Sequence, residues 1–516
     1  MNEELAAALR LLPDYLGHHV RLSGAALGLG LLISLPLAIA ASRVPRLRWP
    51  LLGFASIVQT IPSLALLALF YPVLLALSAL SEAAFGTRFS ALGFWPALAA
   101  LTLYSMLPII RNTVAGLLSL DPGVIEAARG VGMTERQRLF MVELPLAGPV
   151  MMAGVRTAAV WTIGAATLAT PVGQTSLGNY IFSGLQTENW TSVLVGCVSA
   201  AALALIADQL LGVIEIGLAR RSVRRIVAGC AGLGLGLALS LAPWASAARV
   251  DYVIGAKNFS EQYILSAAID ERLTAQGKRA RISGSLGSAV ILRALANGEI
   301  DVYVEYSGTI WRAAMQRDDQ PERDAMLAEI SAWLRDEHGI AMLGPLGFEN
   351  AYAFAMRAER ARELGIRSIA DLARHAPNLR LGTDYEFLAR PDWTAVRDGY
   401  GLHFADSRQF QSTFMYKALA DGTVDVITAF SSDGRIAADS LLVLDDPLRR
   451  IPPYDAILLL SPNRTADAVL RRSLEPLIGA IPVETMRAAN LMVDRDLDKR
   501  SPAAAAQWLN EQVARR

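Results

Sequence analysis

Along the first 248 residues polar positions are rare over six stretches: Val20–Ala41, Leu51–Leu75, Leu92–Leu117, Pro149–Thr170, Ser192–Leu218 and Ile226–Pro243. A helix needs about 20 mostly apolar residues to cross roughly 30 Å of hydrocarbon, so each stretch predicts a membrane span. Pro36, Pro62 and Pro108 inside them are tolerable where neighbouring helices re-satisfy the freed backbone groups. From Arg249 the period changes. Asp251–Gly255 reads as a short strand, Glu261–Ala275 as an amphipathic helix, Ser288–Asn297 as a helix and Ile300–Tyr306 as an alternating strand. Strands alternating with helical patterns predict parallel α/β sheets. These 268 residues suit two lobes rather than one, with hinges near Leu346–Asn350 and Arg450–Tyr454.

Charge divides the chain at the same place. Up to Ala248 there are 15 Arg, no Lys and 11 acids, a net of 15 − 11 = +4; beyond it, 33 Lys+Arg against 37 acids give −4. The formal net charge of +0 and the mean hydropathy of +0.34 therefore average two different polymers. A collagen, a disordered tail and a single small domain are excluded. With no basic block, nucleic acid is not an expected partner. The loop after the first stretch carries Arg43, Arg46 and Arg48, the loop after the third Arg129, Arg136 and Arg138, and the loop after the fifth Arg220, Arg221, Arg224 and Arg225. The opposite loops hold only Arg88. Positive loops stay inside, so these are cytoplasmic, both termini lie outside, and the second half is extracytoplasmic, in the periplasm or beyond the inner membrane.

Arg220–Ala248 also reads as a secretory signal, with Ala245-Ser246-Ala247 as a cleavage site. A retained sixth span that tethers the second half is the preferred reading. The expected organisation is 1–222 membrane domain, 223–248 tether and 249–516 binding domain, the latter with one lobe at 249–345 and 452–516 and the other at 346–451. The only cysteines, Cys197 and Cys230, lie in apolar stretches, and five His without H-E-x-x-H or C-x-x-C predict no metal and no cofactor. Val227-Ala228-Gly229-Cys230 is a weak match to a lipidation box, since Cys230 comes too early in the apolar run.

The longest Arg-rich loop contains Glu126-Ala127-Ala128-Arg129-Gly130, then Gly132 and Glu143-Leu144-Pro145. Small residues broken by glycine suit two short helices that turn and enter a groove on another protein; an ordinary polar linker is the plain alternative. Glu126, Ala127, Ala128, Gly132, Leu144 and Pro145 resemble the coupling-helix motif of ABC importer permeases. Gln59-Thr60-Ile61-Pro62-Ser63 and Leu177-Gly178-Asn179-Tyr180-Ile181 extend that resemblance over roughly 15–220, close to the osmoprotectant (quaternary amine) permeases. The resemblance implies an all-α transmembrane permease of about six helices, a homodimer of this chain, and two ATPases. No G-x-x-x-x-G-K-[ST] occurs here, and Gly277-Lys278 lacks both the upstream Gly and the following Ser/Thr. ATP hydrolysis is therefore expected on a separate subunit docked around Glu126.

In the second half Tyr306, Tyr352, Phe430 and Tyr454 sit beside predicted strand ends, where open α/β sheets bind ligands. Taken singly, each ring is more simply core packing. Their contexts, with Lys257-Asn258-Phe259-Ser260-Glu261-Gln262 and Phe387-Leu388-Ala389-Arg390-Pro391-Asp392, resemble the solute-binding proteins for glycine betaine and choline over nearly all of 250–516. That family's fold is an α/β two-lobed clamshell. A trimethylammonium donates no hydrogen bond, but ring faces attract it, each contact being worth about 0.5–2 kcal/mol when desolvated. By resemblance Tyr306, Tyr352, Phe430 and Tyr454 wall the cage and Asn350 lends a backbone carbonyl. Phe430 stands where the family usually has Tyr. Lys257, Thr309 and Arg390 match positions that take the ligand's carboxylate, which favours betaines over choline. Solvated surface charges are the plain reading of Lys257 and Arg390.

The sequence thus points to an ATP-driven importer of quaternary-ammonium solutes, glycine betaine or a related betaine. Choline, carnitine or ergothioneine by the same machinery is the alternative, and a ligand-gated channel or sensor a more distant one. No Ser-His-Asp signature or nucleotide loop supports an enzyme.

Overall fold

A computed structural model describes residues 3–86, 93–187, 189–241, 250–319, 321–495 and 498–515. Arg88 and the Ala245-Ser246-Ala247 signal lie outside the described residues. The chain forms two compact units, Met1–Phe182 with Thr191–Ala248, and Ser183–Trp190 with Arg249–Arg516.

The first unit is helical: α1 Glu3–Arg43, α2 Pro45–Thr60, α3 Ser63–Phe85, α4 Phe94–Leu118, α5 Pro122–Gly130, α6 Glu135–Arg138, α7 Leu144–Ala166, α8 Gly178–Gln186, α9 Trp190–Ala219 and α10 Val223–Leu241. Six helical segments among the described residues are long and apolar enough to cross a membrane. The expected span at Leu51–Leu75 is corrected: α2 ends at Thr60, and Ser63–Phe85 is the spanning helix. Pro62 is the reason, because a proline lacks the N–H that would continue the ladder, and Ile61 and Pro62 both take extended backbone. The Leu177–Ile181 motif is a packing device. A Cβ on Gly178 would lie 1.9 Å from the Thr167 carbonyl oxygen, so only glycine lets α8 begin there.

The second unit holds two five-stranded sheets. The first has strands β1 Tyr252–Lys257, β2 Ala280–Leu286, β3 Val302–Tyr306 and β4 Ala341–Glu349. The second has β5 Tyr352–Arg357, β6 Arg380–Thr383, β7 Asp406–Gln409, β8 Val426–Phe430 and β9 Leu441–Val443; β10 Asp455–Leu460 returns to the first. The orders are β2-β1-β3-β10-β4 and β7-β6-β8-β5-β9. The α/β class is as expected, but the sheets are mixed rather than parallel. β10 runs antiparallel to β3 and β4, and β5 antiparallel to β8 and β9, because the chain passes between sheets after β4 and again before β10. β3 is buried at all five positions and not alternating, as befits a central strand covered on both faces.

Candidate functional site

Strand ends place the expected rings. Tyr306 closes β3, Tyr352 opens β5, Phe430 closes β8 and Tyr454 directly precedes β10. Tyr352 and Phe430 are cross-strand partners in the β5–β8 ladder, so register alone sets them side by side, with centroids 5.0 Å apart. Tyr454 meets Tyr352 edge-on at 6.1 Å, and Phe387 packs on Tyr352 at 4.9 Å. Tyr306 joins the group through Phe259, which is 6.0 Å from Tyr306 and 6.4 Å from Phe430, parallel to the latter within 1°. Phe259 is a fifth ring that the sequence reading kept in its motif but not in the site. Thr309 is buried in the turn after Tyr306. The same turn must carry glycine at 308, because a Cβ there would lie 2.5 Å from a carbon of the Tyr454 ring.

Cations already face these rings. The Arg390 guanidinium lies 5.3 Å from the Tyr352 centroid and 5.8 Å from that of Tyr454. It donates to the Tyr454 hydroxyl at 2.9 Å and to Asp392 at 3.0 Å, while the Tyr454 hydroxyl donates to Asp392 at 2.7 Å. Asp392 is wholly buried, so Arg390 is a fixed cation at the edge of the ring cluster and not a solvated surface charge. Lys257 is buried and paired within the protein. Its ammonium lies 5.2 Å from the Tyr306 centroid but is ion-paired with the buried Glu305 carboxylate. That carboxylate also accepts the Tyr306 N–H at 2.8 Å and the Tyr303 hydroxyl at 3.0 Å. Its charge is therefore answered within the protein.

Asn350 is held through its side chain, which donates to Glu261 at 3.0 Å, and its N–H donates to the Tyr454 carbonyl at 2.9 Å. Glu261, another residue the sequence reading left unassigned, also accepts from the Tyr306 hydroxyl at 2.6 Å and from Asn490 at 2.9 Å. Burial pushes its carboxyl above the usual range, opposed by these donors. Burial first, then the Glu261 carboxylate, pushes the Tyr306 phenol well up, so that it stays a neutral donor. Helix Val483–Asp494 spans the seam: Arg487 donates to the Ser431 carbonyl and Asn490 to the Ser432 carbonyl, each at 2.9 Å.

In the first unit the expected short helices are α5 and α6. Asp121 caps α5 by accepting from Gly123 at 2.8 Å, and Thr134 with Gln137 forms a capping box on α6. Gly132, at φ +81°, makes the turn between them. Glu126, Ala127, Gly132 and Pro145 are exposed, Leu144 is half-buried and Ala128 is buried. Beside them Val131, Phe140 and Met141 show 75%, 65% and 65% of their surface. Glu143 anchors this loop from below it in sequence: buried, it is ion-paired with Arg138 at 2.7 Å and with Arg43 of α1. A second ionic cluster joins α7 to α9. Arg156 forks onto Asp208 at 2.8 and 2.7 Å and reaches Glu215 at 2.8 Å. The sequence reading passed over it, although an ionisable residue inside a span is itself a signal.

Residues 250–511 match the family described as the substrate binding domain of an ABC-type glycine betaine transport system, and residues 30–220 match the binding-protein-dependent transport system inner membrane component. The chain is 30% identical over 483 residues to the ergothioneine transport permease/ergothioneine binding protein of Helicobacter pylori (strain G27), covering 90% of this chain and 83% of that one. It is 39% identical over 199 residues to a glycine betaine/carnitine/choline transport system permease protein of Bacillus subtilis (strain 168), covering 39% of this chain and 84% of that one. A solved glycine betaine/carnitine/choline ABC transporter structure is 28% identical with a TM-score of 0.45, covering 51% of this chain and 98% of that one.

Proposed function

The chain belongs to the ABC-type glycine betaine transport family, with permease and binding domain in one polypeptide, and on that premise we propose how it selects and moves its ligand. It is a multi-pass membrane protein and a transporter subunit for quaternary amines, not an enzyme. The ligand is a betaine. Its trimethylammonium sits among Tyr306, Tyr352, Phe430 and Tyr454, with Phe259 as a fifth wall, and its carboxylate meets Arg390 and the Thr309 hydroxyl. The observation that carries this reading is the Arg390 guanidinium fixed by Tyr454 and Asp392 at the edge of the ring cluster. Lys257, paired with Glu305, supports Tyr306 and adds no free charge.

The two ends of the ligand make separable demands. Arg390→Lys keeps a cation beside buried Asp392 but loses the fork that fits a carboxylate. Calorimetric titration of the full-length protein should show glycine betaine weakened roughly tenfold, with choline, which has no carboxylate, changed less than about threefold. Equal losses for both would remove Arg390 from carboxylate recognition.

ATP hydrolysis belongs to a separate ATPase subunit, which docks on Glu126, Ala127, Ala128, Gly132, Leu144 and Pro145. The exposed apolar side chains of Val131, Phe140 and Met141, on a loop pinned by the buried Glu143, support this. The permease works as a homodimer. α10 is a retained span that leaves the binding domain outside the cytoplasm. Its support is close packing, since a Cβ on Gly229 would lie 2.5 Å from Ile214 and 2.8 Å from the Leu210 carbonyl, a fitted seat that a transient signal helix does not need. Ergothioneine, itself a betaine, is the second reading, favoured by the relative of that name, which matches 90% of this chain.

A further inference from the structure

Arg390 also lines a cavity of about 1120 Å³ in the binding domain, and none of the cage rings does. Its walls carry four arginines, Arg312, Arg390, Arg449 and Arg450, against two carboxylates, Asp318 and Asp398. Both carboxylates are engaged, Asp318 with Arg312 at 3.1 Å and Asp398 with Arg397 at 2.7 Å. Arg390 is answered by Asp392, whereas Arg449 and Arg450 form no side-chain hydrogen bond or ion pair among the described residues. Arg312 is 3% exposed, and its Nε has no hydrogen-bond partner among the described residues. The walls thus present two unanswered cations and a buried donor left over.

These cations are held in place. The loop bearing Arg449 and Arg450 is tied at both ends: the Leu448 N–H donates to the Tyr400 hydroxyl at 2.7 Å and the Ile451 N–H to Asp446 at 2.9 Å. Arg450 lies across the helix Pro391–Tyr400, where a Cβ on Gly399 would come within 2.7 Å of its Nε. The carboxylate of a betaine is met by Arg390 and needs none of this volume. A phosphate presents more charge and more acceptor oxygens, and guanidinium forks match its geometry. The volume is that of a site for a small molecule, not for a single group.

We propose that this cavity is a site for a phosphate-class oxyanion, reached from the ring cluster past Arg390. The occupant its chemistry suits is the phosphate of a phosphorylated quaternary amine; free inorganic phosphate is the other source of the same chemistry. The receptor then takes zwitterions longer than glycine betaine. Placing the cation of such a ligand rests on the reading of the rings as its cage, and the anion site does not.

The test is calorimetric titration of the full-length protein, in detergent micelles and phosphate-free buffer, with choline, phosphocholine, glycine betaine and inorganic phosphate. Choline and phosphocholine share their cation, so the ratio of their affinities reads the cavity. Phosphocholine should bind tighter by roughly tenfold or more, and the ratio should fall toward one in Arg449→Gln/Arg450→Gln. Both side chains are exposed, so this variant should fold, and its glycine betaine affinity should stay within about threefold of the parent. Inorganic phosphate that binds the parent but not the double variant, without displacing glycine betaine, keeps the site and makes the free ion its occupant. A ratio near one with no phosphate binding, or binding of either phosphate unchanged in the double variant, overturns the proposal. If inorganic phosphate binds in this way and none of the amines does, the cage reading falls and the anion site stands.

Discussion

Tyr352→Ala should weaken betaine binding by roughly tenfold to thirtyfold, while Tyr352→Phe stays within about threefold of the parent. Tyr352 stands at the centre of the ring cluster, within 6.1 Å of Phe430, Tyr454 and Phe387 and 5.3 Å from the Arg390 guanidinium carbon. Its hydroxyl makes no hydrogen bond among the described residues, so Phe keeps the ring face that the proposed cage uses. Ala removes one ring face, worth about 0.5–2 kcal/mol to a desolvated cation. It also leaves a hole among three aromatic side chains, and truncations of this kind cost about 3–5 kcal/mol. Equilibrium titration with glycine betaine reads the first effect and thermal unfolding the second. Equal affinity for the Ala and Phe variants would take Tyr352 out of the site.

The second large effect is in the permease. Arg156→Leu should destabilise the membrane unit by roughly 3 kcal/mol, because Asp208 and Glu215 then face an apolar environment without a counter-charge. Lys at 156 keeps the charge but cannot fork onto Asp208, so it should fall between Leu and the parent. Replacing the whole triad, with Asp208→Leu and Glu215→Leu added to Arg156→Leu, should recover most of the loss, since no charge is then stranded. Thermal unfolding of the four proteins in the same detergent is the measurement. An Arg156→Leu midpoint equal to the parent's would mean that the triad contributes nothing to holding α7 against α9.

Much of this was legible in the sequence, for reasons specific to each feature. The spans are legible because hydrocarbon demands long apolar runs, and the loop motif because short helices need caps and a glycine turn. The Leu51–Leu75 stretch misled because hydropathy is blind to Pro62, whose missing N–H divides it. Strand direction was not legible. β3 and β10 read alike as apolar runs, and only the return of the chain between lobes makes them antiparallel. The rings were found one by one at strand ends, but Phe259 enters only through packing against Phe430 on the other sheet's strand. The partner of Lys257 was not legible either. Sequence places a cation near the ring cluster, and only the structure reveals that Glu305 holds it.

The central claim is ATP-driven uptake of a betaine by this chain. The direct measurement is accumulation of labelled glycine betaine, and in parallel ergothioneine, in proteoliposomes containing this protein and an ABC ATPase that co-purifies with it. Uptake against a gradient that requires ATP, and that is lost in Tyr352→Ala, is the predicted result. Flux that only equilibrates the label and is indifferent to ATP would contradict the account and make the protein a channel.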